Sequence, residues 1–159
     1  MPFDRIDLKI LDLLQTDATL PVARIADRVG LSQTPCWKRI QKHEEAGTIR
    51  GRVAVLDPRA FGLDLTAFVF VEAAEHSAHW RQNFLDVTDA MEAVRDVYRL
   101  AGSHDFLLRV LVRDMAAFDR FYEELAARTG PRSVNSSFVL EHMRTRPSLP
   151  LGALAPQAR

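Results

Sequence analysis

Residues 22–47 read VARIADRVGLSQTPCWKRIQKHEEAG, and the order of the signals in this stretch decides the first half of the fold. Val22, Ile25, Ala26 and Val29 recur at three- and four-residue spacing and stop at Gly30, the residue type that leaves a helix through left-handed backbone. After a Gly30-Leu31 turn, Ser32 stands where a helix needs its N-cap. Pro35 falls in a first turn whose amides have no intrahelical acceptor. The helix that starts there runs to about Ala46 and ends at Gly47. At 100° per residue, Cys36, Ile40 and His43 fall within about 60° of one another and form an inward stripe. Thr34, Pro35, Lys38, Gln41, Lys42 and Glu45 collect on the opposite side, with Trp37 and Arg39 on the flanks.

Working outward, DRIDLKILDLLQTD from Asp4 to Asp17 sets Ile6, Ile10, Leu11, Leu13 and Leu14 on one helical stripe. A helix, a short helix, a tight turn with glycine and a basic helix make the helix-turn-helix pattern. The following TIRGRVAVLD alternates β-branched residues around Gly51 and reads as a two-stranded ribbon or a strand leaving the helical unit, resembling a wing. In such a unit the first turns of the second helix of the motif enter the major groove. Gln33, Thr34, Pro35, Lys38 and Gln41 are therefore expected near base edges, and Ser32, Arg39, Lys42, Arg50 and Arg52 on phosphates. Trp37 is either a stacking residue or a half-buried anchor. Cys36, on the buried stripe, is expected to pack rather than react.

Pro58 and Gly62 in DPRAFGLDL mark a boundary. Beyond it, strand LTAFVFVEA, a helix over about 79–88, strand AVRDVYRLA, strand DFLLRVLVR, helix MAAFDRFYEELAAR and strand SVNSSFVLEHM follow in the order β-α-β-β-α-β, the ferredoxin-like split unit. The fold class is thus α+β: a winged helix-turn-helix over residues 1–56, a hinge over 57–64, a ferredoxin-like domain over 65–148 and a flexible tail over 149–159. Strands such as FVFVEA are apolar on both sides. With helices over one sheet face, the other is expected to be covered by a second copy.

Composition narrows the function classes. The formal net charge of the 159 residues is zero, yet residues 33–52 carry five Lys and Arg against two Glu, so the positive charge is local. No apolar run approaches a membrane span and the first residues do not resemble a signal peptide, so a cytoplasmic protein is expected, and the helix-turn-helix reading adds association with the nucleoid. A single cysteine excludes an intrachain disulfide and a cysteine-based zinc site. No metal or other cofactor is expected.

DRIDLKILDLLQTD, IADRVGLSQTPCWKRIQKHEEAGTIRG, VLDPRAFG and LAGSHDFLLRVLVRDMAAFDRFY together resemble the Lrp/AsnC transcriptional regulators of bacteria and archaea, over about residues 3–148. Within that family, TPCWKRI, LDLTAFVFVEA and SSFVLEHMRTRPSLPL look most like the branch that responds to L-cysteine and switches on cysteine-degrading enzymes. The resemblance implies double-stranded DNA as a partner, homodimers formed through the sheets, association into octamers or other higher oligomers, and an amino-acid effector held where neighbouring dimers meet. The family's Gly-x-x-Asp signature falls on Gly102 and Asp105. Glycine admits a carboxylate close to backbone amides, and Asp105 supplies an acceptor for an α-ammonium group. Leu100, Ala101, Ser103 and His104 share the turn, and Ser136 and Ser137 on the last strand are further expected lining residues. A plain hairpin turn, with Asp105 bonding its own turn amides, is the structural alternative. Two positions depart from the family: His43, where a leucine-like residue is usual, needs a partner for its ring, and His104 replaces an acidic or aromatic residue.

The leading expectation is a non-enzymatic, sequence-specific regulator gated by a small amino acid. Two others are a tetrapyrrole (siroheme-type) decarboxylase of similar architecture, for which His76, His79, His104 and His142 are available, and a low-specificity chromosome-organising protein.

Overall fold

The structure, a computed structural model, describes residues 3–151. The chain divides into two compact units: Leu56–His142 forms one, and the residues before and after it form the other.

The first unit is built on α1 (Arg5–Thr16), α2 (Val22–Val29) and α3 (Gln33–Glu45). Asp4 starts α1 through a capping box: its carboxylate accepts from the Ile6 and Asp7 amides at 2.8 and 2.7 Å, and its own amide donates to Asp7 at 3.2 Å. Gly30 closes α2 at φ 74°, in the left-handed region, which lets the Leu31 amide fold back onto the Ala26 carbonyl at 3.0 Å. Ile10, Leu14, Ile25, Ala26, Cys36 and Ile40 meet as the core. The helices pack because each carries one apolar stripe and three stripes close a small core.

The expected wing is not formed. Residues 50–57 carry no strand, and Val53 and Val55 are 86% and 91% exposed. Alternating β-branched residues favour extended backbone, but a ribbon also needs a second strand, and none lies there among the described residues.

Residues 147–151 pack with the first unit. The Gln15 side chain, on α1, donates from Nε2 to the Leu149 carbonyl at 2.8 Å and accepts the Leu149 amide on Oε1 at 2.8 Å. It pairs as one rung of a strand would. Leu8, Leu11 and Leu14 of α1, Ile49, Leu149 and Leu151 line an apolar groove of about 460 Å³ there. The second unit accordingly ends at His142, short of the boundary drawn at 148. Of the expected flexible tail, residues 149–151 are docked and 152–159 lie outside the described residues.

The second unit follows a 3-10 turn over Pro58–Phe61: β1 (Leu65–Glu72), α4 (Ala78–Asp89), β2 (Val94–Arg99), β3 (Phe106–Val112), α5 (Met115–Thr129) and β4 (Ser133–Phe138). The sheet order is β2-β3-β1-β4, all neighbours antiparallel, as the β-α-β-β-α-β reading requires. Ala67, Val69 and Val71 of β1 and Leu108 and Val110 of β3 point into a core shared with Phe84 of α4 and Phe118, Phe121 and Leu125 of α5. On the opposite face, Phe68 and Phe70 pair with Arg109 and Leu107 and stay half-buried. Among the described residues no helix is long and apolar enough to cross a membrane, and no cluster of His, Cys, Asp and Glu is placed to hold a metal ion.

Candidate DNA-binding helix and effector turn

α3 presents two chemically opposite sides. Cys36, Ile40 and His43 are buried, as the periodicity requires. Ser32, Gln33, Thr34, Pro35, Lys38 and Lys42 are exposed, and Gln41 is half-exposed. Ser32 occupies the N-cap position without a side-chain capping bond; its carbonyl accepts from the Cys36 amide at 3.3 Å. Burial pushes the Cys36 thiol up against a smaller downward pull from Arg39, so the thiol stays protonated and inert as a nucleophile.

Arg39 does not stand free to meet a phosphate. Its Nη1 lies 2.6 Å from both Asp4 and Asp7, so the residue bridges the start of α1 to the middle of α3. Angular position put Arg39 on the flank of the outward face, but its long side chain reaches back to the two carboxylates of the α1 capping box. Partial burial raises the Asp4 carboxyl, and the Asp7 amide, the Arg39 hydrogen bond and charge, and the Ile6 amide together outweigh it and hold Asp4 below the usual carboxylate value. His43 joins the same cluster. It is 4% exposed, with Nε2 at 3.3 Å from Asp7 Oδ1 but without the alignment of a hydrogen bond, and its ring lies 5.7 Å from that of Phe3. Of the remaining expected phosphate contacts, Arg50 is exposed and Arg52 pairs with Glu44 at 2.9 Å. The cationic side of the helix is therefore carried by Lys38 and Lys42, with Arg50 beyond its end.

In the second unit, Leu100, Ala101, Gly102, Ser103, His104 and Asp105 form the connection between β2 and β3. The Leu100 amide donates to the Asp105 carbonyl at 2.8 Å, and the Asp105 amide donates to the Val71 carbonyl at 3.0 Å. The Asp105 carboxylate does not bond its own turn. Oδ2 accepts the Ala73 amide at 2.8 Å, just past β1, and Oδ1 faces His76 Nδ1 at 3.6 Å. One oxygen thus anchors the β1–α4 loop and the other looks toward a partly solvated neighbour. Gly102 has no atom within 4 Å of where a Cβ would stand and no left-handed backbone. Nothing inside this chain requires glycine there, so the open space faces outward. His104 lies 5.2 Å from the Phe70 ring and Ser103 Oγ is 3.1 Å from His104 Nδ1.

Ser136 and Ser137 are not brought to this turn. Ser136 pairs with Val69 and Ser137 with Phe68, two and three residues along β1 from the Val71 carbonyl that holds Asp105. Successive strand residues point to opposite faces, so Ser136 lies on the helix-covered face and only Ser137 shares the open face with Phe68. His76 and the Ala73 amide, which meet Asp105, were not legible in the sequence, because they arrive from a different loop. A small cleft of about 40 Å³ lies beside Asp105, lined among others by His76, Trp80, Arg81 and Arg99.

Residues 3–42 match the AsnC-type helix-turn-helix domain, and residues 66–149 match the Lrp/AsnC ligand binding domain. The chain is 44% identical over 149 residues to the DNA-binding transcriptional activator DecR of Escherichia coli strain K12, covering 93% of this chain and 98% of that one. Its fold matches the crystal structure of an AsnC family transcriptional regulator from Agrobacterium tumefaciens with a TM-score of 0.90 and 46% identity, over 96% and 100% of the two chains. It also matches a Neisseria meningitidis transcriptional regulator in complex with L-Met, with a TM-score of 0.88 and 34% identity over 94% and 97%. Both the helix-turn-helix unit and the four-stranded unit with its exposed Gly-x-x-Asp turn are accounted for by one lineage, and the chain belongs to the Lrp/AsnC family of transcriptional regulators.

Proposed function

We propose that the protein is a sequence-specific DNA-binding regulator whose hold on double-stranded DNA is set by a small amino acid, with L-cysteine as the first effector to test. The observation that carries the DNA arm is α3 itself, buried through Cys36, Ile40 and His43 and exposed through Gln33, Thr34, Pro35 and Lys38. A helix fixed by one stripe and bearing donors and a cation on the other matches the edge chemistry of the major groove. Its place of action is then the cytoplasm, on the nucleoid. The relatives are regulators, and this exposed polar face argues against a tetrapyrrole decarboxylase.

The effector arm assigns the α-ammonium group to Asp105 Oδ1 and the carboxylate to the Gly102 backbone; what supports it is that Oδ1 faces the exposed His76, at 3.6 Å, and that the space beside Gly102 is open. A neighbouring copy is the natural source of further lining residues such as Ser137. The half-buried apolar face with Phe68 and Phe70 supports dimers formed sheet to sheet, and dimers of dimers closing over the turns.

The test has two readouts. Lys38→Ala weakens binding to the promoter beside the protein's own gene at fixed salt by about fivefold or more; unchanged affinity sinks the DNA arm. A thermal-shift screen of the twenty amino acids identifies the effector, and Asp105→Asn, which keeps an acceptor for the Ala73 amide, abolishes the shift. A full shift in that variant moves the site elsewhere, and no shift with cysteine removes that effector.

A further inference from the structure

The chain has two tryptophans. Trp80 is 8% exposed within the core of the second unit, whereas Trp37 is 50% exposed on α3. Trp37 is absent from the buried cluster of its own unit. An indole is a large apolar body with a single N–H donor, and leaving half of it in water on a helix already well anchored by three buried residues calls for a partner.

The helix geometry says which partner. Gln33, Trp37 and Gln41 follow one another at four-residue spacing and form one row, with Thr34 and Lys38 as the adjacent row. Gln33 and Gln41 therefore flank Trp37 along its row, and Lys38 stands in the adjacent one. A protein-docking patch would surround it with further apolar side chains and few charges; here Gln33, Thr34 and Lys38 are exposed polar neighbours, and Lys42 adds positive charge one turn on. Donors, a cation and one isolated apolar surface match the major groove, where the thymine C5-methyl is the one apolar group among donors and acceptors and phosphates flank both sides.

We infer that Trp37 is a specificity-determining residue, packing its ring on a thymine methyl and so selecting T·A at one operator position. This rests on α3 being the base-facing helix, and the experiment separates the two ideas. A duplex is first selected from random DNA with the full chain, and each thymine is then replaced singly by uracil, which removes only the methyl. In the wild type, one replacement weakens binding by about fourfold, the share of one buried methyl group. In Trp37→Ala, checked by thermal melting to be folded, the same replacement has no effect. Tryptophan emission of the wild type changes on adding the selected duplex, and in Trp37→Phe, where only Trp80 remains, it does not.

If Lys38→Ala loses affinity but no uracil position depends on Trp37, this inference is overturned and the base-facing helix stands. If Lys38→Ala binds as the wild type does, or no duplex is selected, both fall. Emission that changes with protein concentration and not with DNA assigns the ring to a contact between copies and overturns the inference as well.

Discussion

Arg39→Ala is the substitution that most sharply separates a structural cation from a DNA-contacting one. Its guanidinium is 33% exposed and holds two carboxylates at 2.6 Å, Asp7 at 14% exposure and Asp4 at 50%. The Asp7 bond is charge-assisted and largely shielded, in the range of about 1.5–3 kcal/mol. The Asp4 bond is exposed enough to be screened into the range of exposed ion pairs, about 0.2–1 kcal/mol. Loss of both costs about 2–3 kcal/mol, and with about 4–8 °C per kcal/mol for a domain of this size, the helix-turn-helix unit melts about 10 °C or more lower. Lysine, a single point of charge, recovers only part of this. DNA binding is then measured below the melting point across a salt series. A phosphate contact contributes about 0.9 to the slope of log affinity against log salt; the clamp contributes nothing. Unchanged melting together with a slope reduced by about one unit would falsify the clamp and return Arg39 to the phosphates.

Gln15→Ala removes both bonds to Leu149 and lowers stability by about 1 kcal/mol, and it increases protease cleavage within residues 143–151; an uncut, equally stable variant refutes the docking. Asp4→Asn keeps a good N-cap but no charge. Since the folded Asp4 carboxyl lies below its ordinary 3.8, its contribution is present above that value and is lost as pH falls below it, so wild type and variant differ in urea stability at pH 7 and converge in acid. A gap that does not narrow as pH falls below 3.8 contradicts this. Cys36 is fully buried, so Cys36→Ala keeps any cysteine-induced thermal shift; loss of the shift in a folded variant would instead point to thiol exchange at that residue.

What the sequence shows well is whatever depends on period. The 3.6-residue repeat of Ile6, Ile10 and Leu14, the Gly30 exit and the buried set of α3 all follow from side-chain direction along one element. The two-residue alternation of Val69 and Val71 does the same for the sheet. Partners across elements are another matter. Arg39 had the right angle for a phosphate and the reach for Asp4 and Asp7, and only the packing of α1 on α3 decides between them. Ser136 and Ser137 sit on a strand whose register to β1 no local pattern announces, so their distance from Asp105 was invisible. The wing failed for a related reason: residues 50–57 have the composition of a strand but, among the described residues, no second strand beside them. No pattern signals that a glutamine amide at position 15 will meet a peptide group 134 residues later.

That last contact has a consequence for how the protein is made and taken apart. The three helices of the helix-turn-helix unit are synthesised before the second unit but their unit is completed after it, since the apolar side of α1 at Leu8, Leu11 and Leu14 waits for Pro147, Leu149 and Leu151. A fragment cut at the hinge exposes that groove. Such a fragment is a stickier, less stable object than the same residues within the whole chain, and DNA affinities measured on it describe a different molecule.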